Sequence, residues 1–226
     1  EDFYSPGKRT GLRPDRATIV YANRAREAFG SEIPIVIGGL EASLRRFAHY
    51  DYWDDRVRRS VLVDSGADIL VYGMGETASR EIARRLKKKI PVSEMRDIRG
   101  TAILTHSPDD CAFESVTLPS FADVCDSRRF YADATRLEYA EHDPVRGRAL
   151  IQEHDGRYLI VNPPAMPLET KELDRVAELP YTKQYHPMYE PLGGVPAIEE
   201  VKFSVIHNRG CFGGCSFCAL AFHQGR

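Results

Sequence analysis

An excess of charge of either sign is missing from this chain: 31 Lys+Arg against 33 Asp+Glu leave a formal net charge of −2 over 226 residues. That balance provides no electrostatic footprint naming nucleic acid as a partner. The short basic runs Lys87-Lys88-Lys89 and Arg45-Arg46 fit solvated helix faces better than a phosphate-tracking groove. Long hydrophobic runs are missing too. No stretch reaches the ~20 apolar residues that a bilayer-spanning helix needs, and the opening Glu1-Asp2-Phe3-Tyr4-Ser5-Pro6-Gly7-Lys8 has no signal-peptide core. A cytoplasmic setting without a membrane partner is expected. Cysteine is scarce and odd in number, five in all, with three crowded near the end of the chain. This excludes a conventional secreted disulfide framework and suits reduced thiols available to a metal. No internal repeat is visible.

What is present is an ordinary globular composition, 42% hydrophobic, enough for one full domain or two small ones. After a polar Gly- and Pro-containing stretch, a helix is predicted from about Pro14 to Phe29, closed by Gly30. Ile33–Ile37 reads as a short strand, Gly38-Gly39 as a turn and Leu40–Tyr50 as a helix. Asp68–Tyr72, Gly73-Met74-Gly75-Glu76 and Thr77–Lys88 repeat that order. Strand, glycine turn and helix make half of a parallel unit, so residues 1–98 are expected to form a partial Rossmann-like parallel-sheet domain. Gly73-Met74-Gly75-Glu76-Thr77-Ala78 formally fits a dinucleotide fingerprint, yet it follows a later strand rather than the first, and a bland turn is the better reading.

From Thr101 the pattern changes, and residues 99–195 are expected to form an α+β connecting subdomain with a linker. It would hold a strand at Thr101–Thr105, a helix over Ser127–His142, and a hairpin of Ala149–His154 with Arg157–Asn162 around Asp155-Gly156. A further helix over Glu169–Leu179 precedes a proline-rich linker, Tyr181–Pro196.

The last segment carries the chemistry. The strand-like run Glu200–Ile206 leads into Asn208-Arg209-Gly210-Cys211-Phe212-Gly213-Gly214-Cys215-Ser216-Phe217-Cys218. Three thiols on one glycine-containing loop suit an iron–sulfur cluster with one iron lacking a protein ligand. A Cys3His zinc site completed by His207 or His223 is the second reading, behind the iron–sulfur one. Cys111 and Cys125 lie far from the loop and read as ordinary partly buried thiols.

The Cys-x3-Cys-x2-Cys spacing, with aromatic Phe217 before the last cysteine, resembles a radical S-adenosylmethionine (radical SAM) enzyme. The string from Pro196 through Cys211-Phe212-Gly213-Gly214-Cys215 to Phe222-His223-Gln224-Gly225-Arg226 resembles the YgiQ-type radical SAM family, as does Ile37-Gly38-Gly39-Leu40-Glu41-Ala42-Ser43-Leu44-Arg45-Arg46-Phe47-Ala48-His49-Tyr50-Asp51-Tyr52-Trp53. The resemblance implies that Cys211, Cys215 and Cys218 hold a 4Fe-4S cluster whose open iron binds S-adenosylmethionine, with Phe217 near the adenine. It implies an electron donor such as flavodoxin or ferredoxin, reductive cleavage to a 5'-deoxyadenosyl radical, and an unnamed substrate. It further implies that residues 196–226 are the first strand and cluster loop of a partial barrel, so the chain is expected to be an internal fragment, inactive alone. It implies too that residues 1–98 are a cobalamin-binding-like domain, although cobalamin itself is not assigned, since the family's Asp-x-His stretch would lie before residue 1. The rival functions are a zinc-dependent structural or interaction module and an electron-transfer protein.

Other residues attract attention. Glu41, Arg45, Arg46, His49, Tyr50, Asp51, Tyr52 and Trp53 form a polar-aromatic cluster after Gly38-Gly39, suited equally to a ligand wall or an interface. His207 and Asn208 adjoin the cysteine loop, and Arg226 follows it at a distance where it could meet a carboxylate or phosphate.

Overall fold

The protein's architecture is that of a computed structural model describing residues 1–225. In chain order its helices and strands are α1 (Ala17–Phe29), β1 (Val36–Ile37), α2 (Gly39–Leu44), β2 (His49–Asp51), β3 (Arg56–Arg58), α3 (Val61–Ser65), β4 (Ile69–Val71) and α4 (Glu76–Lys87). There follow β5 (Thr101–Thr105), β6 (Ser115–Thr117), α5 (Phe121–Asp126), α6 (Arg128–Ala140), β7 (Ala149–His154), β8 (Arg157–Val161), α7 (Thr170–Ala177), α8 (Ile198–Val201) and α9 (Leu220–Gln224). Two compact units emerge. The larger holds Thr18–Pro167 together with the segment from Gly210 onward; the smaller holds Glu1–Ala17 and Leu168–Arg209.

The larger unit is built on one six-stranded sheet in the order β1-β4-β5-β8-β7-β6. Its strands read as near-continuous apolar runs because both faces are covered. Successive side chains point to opposite faces, and the packing obeys this. Leu70, Ala102, Leu159 and Val161 join a core with Ala22 of α1 and Val61 and Leu62 of α3. Their neighbours Ile69, Val71, Ile103 and Ile160 join a second core with Ala78 and Ile82 of α4 and with Met95 and Ile98. On α4, Ala78, Ile82 and Leu86 recur at four-residue spacing and form its inward stripe. Lys87, Lys88 and Lys89 are exposed, as a solvated run should be.

The sheet is mixed α/β rather than a parallel Rossmann-like half. β1 pairs with β4 in parallel, Val36 opposite Ile69, and β6 with β7, Ser115 opposite Ala149. β4/β5, β5/β8 and β7/β8 are antiparallel. The reversal has a visible cause. After α4 the chain does not enter the next strand directly; Lys88–Gly100 runs back along the sheet face, burying Met95 and Ile98. Gly100 thereby arrives beside the end of β4, where its carbonyl accepts from Tyr72 N at 2.9 Å. Thirteen residues are long enough to cover the length of α4 again, so β5 starts where β4 stops. Strands from either side of residue 98 consequently lie side by side in one sheet.

Several elements match the sequence patterns and others do not. The Asp155-Gly156 hairpin is formed, with both residues at positive φ (52° and 80°), as a type I' turn requires. The helix expected over Leu40–Tyr50 stops at Leu44, and His49–Asp51 pairs instead with Arg56–Arg58 in a two-stranded sheet. The strand expected over Glu200–Ile206 is absent: Ile198–Val201 is a helical turn, and among the described residues no strand follows Val161. A strand needs a ladder partner, and none of the described strands pairs with this run. The smaller unit contains α7, α8 and two 3-10 turns, Pro6–Lys8 and Pro187–Leu192.

Candidate functional site: the cysteine loop and its anchor

The loop carrying Cys211, Cys215 and Cys218 belongs to the larger unit. Its first residues are tied to the end of α9: Gly210 N donates to Gln224 Oε1 at 3.1 Å and Cys211 N to Gly225 O at 3.0 Å. Cys218 N closes a turn onto Cys215 O at 3.2 Å. Between them, Gly213 N donates to Cys211 Sγ at 3.3 Å. A Cβ at Gly213 would lie 3.3 Å from Cys211 Sγ and 3.7 Å from Cys215 Sγ, so glycine leaves the space into which two of the three sulfurs project. Cys211 is half-buried; Cys215 and Cys218 are exposed.

This donor set fits a thiolate-held cluster in kind: three thiols on one loop, one already accepting a backbone N–H, as cluster sulfurs do. Among the described residues no three His, Cys, Asp or Glu side chains are drawn together tightly enough to hold a metal ion. Of the two candidate fourth ligands, His207 is exposed and His223 half-buried. Cys111 packs at the margin of the second core, and Cys125 is exposed on α5. Phe217 is 90% exposed, free of packing within this chain. The contact expected for Arg226 lies outside the described residues.

The glycine-acid turn is structural. Gly75 caps α4, and a Cβ there would come within 2.7 Å of Val71 Cγ1, so close helix–strand packing accounts for it. Glu76 occupies the first turn of α4, placing a carboxylate where a phosphate would have to bind.

The polar-aromatic cluster is not gathered on one wall. Glu41 accepts from Thr18 N (3.0 Å) and Thr18 Oγ1 (2.8 Å) and pairs with Arg45 at 2.9 Å, steadying the start of α1. Asp51 is 2% exposed and receives Trp53 N at 3.0 Å. His49 is half-buried against Phe47 O, while Tyr52 and Trp53 stack at 4.8 Å on the outside. Arg46 overturns the expectation of a solvated basic run. It is 1% exposed, lodged beneath the residues that follow the cysteines. The available signal is only that Arg46 stands between apolar Leu44 and Phe47 in the sequence, since α2 ends at Leu44. Phe222 and Gln224 were visible only as part of a family string.

Around Arg46, and separately at the end of β7, ionisable groups are buried. Burial, with Arg46 and His223 nearby, pushes the His142 imidazole down to about 3. Burial likewise takes His154 to about 4. Burial raises Glu138 to about 7, with Arg46 opposing. The folded state thus resists protonating two histidines that titrate near 6.5 when unfolded, so their contribution is present above that value and is lost as pH falls toward 4 and 3. Glu138 acts oppositely, favouring the fold below about 4.5 and losing that advantage by about 7. Between about 4.5 and 6.5 the two histidines outweigh the one carboxyl. Urea unfolding is therefore expected to show stability rising with pH across that window, and a flat or falling profile would contradict these placements.

No solved structure matches this chain. The fold is a mixed α/β unit with a three-cysteine loop tied to it. A family model described as Radical SAM N-terminal matches residues 1–204, and the chain belongs to that family, in its YgiQ-type branch. It is 57% identical over its full length to a UPF0313 protein of Clostridium perfringens (strain SM101 / Type A), and covers 34% of that relative. A UPF0313 protein of Clostridium botulinum (strain 657 / Type Ba4) is 51% identical, again over the whole chain and 35% of the relative. The chain thus spans about a third of the length of the curated relatives it matches. The cysteine loop lies beyond the residues that the family model covers but within the stretch shared with these relatives.

Proposed function

We propose that Cys211, Cys215 and Cys218 hold a 4Fe-4S cluster that binds S-adenosylmethionine, and that the whole protein is a radical SAM enzyme. The observation carrying this is the Cys-x3-Cys-x2-Cys loop itself, on a chain of the radical SAM N-terminal family, with Gly213 opening space at two of its sulfurs. A cluster held by these residues would supply the electron for reductive cleavage of S-adenosylmethionine to methionine and a 5'-deoxyadenosyl radical. The residues of this chain bind and orient: the three thiolates anchor the iron, Gly213 N–H stabilises the Cys211 sulfur, and Phe217 offers an exposed ring to the adenine.

In this reading the cysteine loop from Gly210 onward belongs to the catalytic part of the whole protein, the preceding residues form the accompanying domain, and a flavodoxin or ferredoxin supplies electrons in a cytoplasmic setting. Among the described residues no helix is long and apolar enough to cross a membrane.

Anaerobic reconstitution tests the metal. The full protein is expected to turn brown and take up about four irons; a colourless protein holding one zinc would favour the Cys3His module instead. Phe217→Ala is expected to leave unfolding free energy within about 0.5 kcal/mol of wild type, since the ring is exposed. The same variant should weaken S-adenosylmethionine binding severalfold by equilibrium dialysis, and unchanged binding would remove Phe217 from the site.

A further inference from the structure

We propose that Arg46 is a positioning residue for the cysteine loop: its guanidinium fixes α9, and α9 holds the loop's first residues. This rests on the cluster-binding reading only for its functional consequence; the linkage itself is a matter of packing.

Helix α9 has five residues, Leu220–Gln224, too few to persist without docking. What docks it is Phe222, 9% exposed, with its ring 5.3 Å from that of Tyr139 and 5.8 Å from that of His142. The Arg46 guanidinium lies 4.0 Å from the centre of the Phe222 ring, 4.6 Å from Tyr72 and 5.1 Å from Phe47. Three aromatic faces around one planar cation replace part of its lost solvation. Its Nη1 donates to Ser43 O at 2.5 Å and to Phe222 O at 3.4 Å, and Nη2 reaches His142 Nδ1 at 3.4 Å. Arg46 thus holds the Phe222 side chain and carbonyl together, with α2 on one side and Tyr72, just past β4, on the other.

The far end of α9 completes the chain of contacts. Gln224 Oε1 and Gly225 O receive the backbone N–H groups of Gly210 and Cys211, so the start of the loop follows wherever α9 sits. Glu138, 8% exposed in the same neighbourhood, is the charge facing Arg46 from α6. If simple filling of space were the task, an apolar side chain would serve as well, since buried charges are often replaced by apolar groups without loss of stability. The directed hydrogen bonds to Phe222 O and His142 are what an apolar side chain does not reproduce.

The test uses the full-length protein with Arg46→Met/Glu138→Gln, which removes both buried charges together, and Arg46→Lys, which keeps charge without the planar fork. In metal-free protein, amide exchange at 219–225 and at Cys211 is expected to accelerate by about tenfold or more in both variants, with the strands of the sheet unchanged. After reconstitution, the cluster should be retained, while the change that S-adenosylmethionine produces in the spectrum of the reduced cluster is diminished. Exchange within about twofold of wild type in a folded double variant would overturn the proposal. Restoration of wild-type exchange by lysine would overturn the role of the planar guanidinium. If wild type itself takes up no cluster, the cluster-binding reading fails, and the exchange comparison still decides the linkage.

Discussion

Serine in place of Cys211, Cys215 or Cys218 is expected to cost the full-length protein more than about tenfold in retained iron. That is a lower bound, because losing even an outer hydrogen-bond partner of a metal ligand has effects of that order. The physical reason is the distribution of ligands. Three thiols fall within eight residues, and among the described residues no other group of three His, Cys, Asp or Glu side chains could hold the metal in their place. At Cys215 and Cys218 the fold should be indifferent: both are exposed and take no part in any core cluster, so unfolding free energies of those two variants should stay within about 0.5 kcal/mol of wild type. Cys125→Ser, also at an exposed thiol, is the control and should retain wild-type iron. Iron content and urea unfolding measured on the same preparations check both halves. Equal iron loss in the Cys125 variant would point to general instability instead.

Leu70→Ala is expected to produce the largest loss of stability, about 2–5 kcal/mol. Leu70 is fully buried on β4, opposite Ile37 of β1 and Ala102 of β5, and packs into the core that also receives α1 and α3. Truncation removes apolar contact on a strand whose neighbours are fixed by ladders on both sides, so the sheet cannot close over the gap. The thermal midpoint should drop by roughly 4–20 °C. Val145→Ala, at a 76% exposed position, should change it little. A Leu70 variant within 1 kcal/mol of wild type would contradict the central position of β4.

How much of this was legible in the sequence depends on the range of the forces involved. Local signals were read well. Asp155-Gly156 specifies its turn through two positive-φ residues, and the apolar runs of β4, β5, β7 and β8 reflect a sheet covered on both faces. The direction of β5 against β4 was not legible, because it is set by the path of Lys88–Gly100, and Met95 and Ile98 look in sequence like any loop apolars. The short β2/β3 pair was missed since Arg45-Arg46-Phe47-Ala48 continues a helical pattern, and only burial of Arg46 and Phe47 shows that it ends. Glu200–Ile206 alternates like a strand, yet strand structure comes from a partner, and none of the described strands provides one. The cysteine spacing was plain from the start. Its attachment through α9 to a buried arginine was not, because 165 positions separate Arg46 from Cys211.

The central claim is that the three thiolates support a cluster to which S-adenosylmethionine binds directly. Electron paramagnetic resonance of the reduced, reconstituted full-length protein, recorded with and without S-adenosylmethionine, tests it most directly. The account predicts a 4Fe-4S signal that changes on addition of S-adenosylmethionine, accompanied by 5'-deoxyadenosine in the quenched sample. A cluster signal that S-adenosylmethionine leaves unaltered, or a protein with zinc and no such signal, would contradict it.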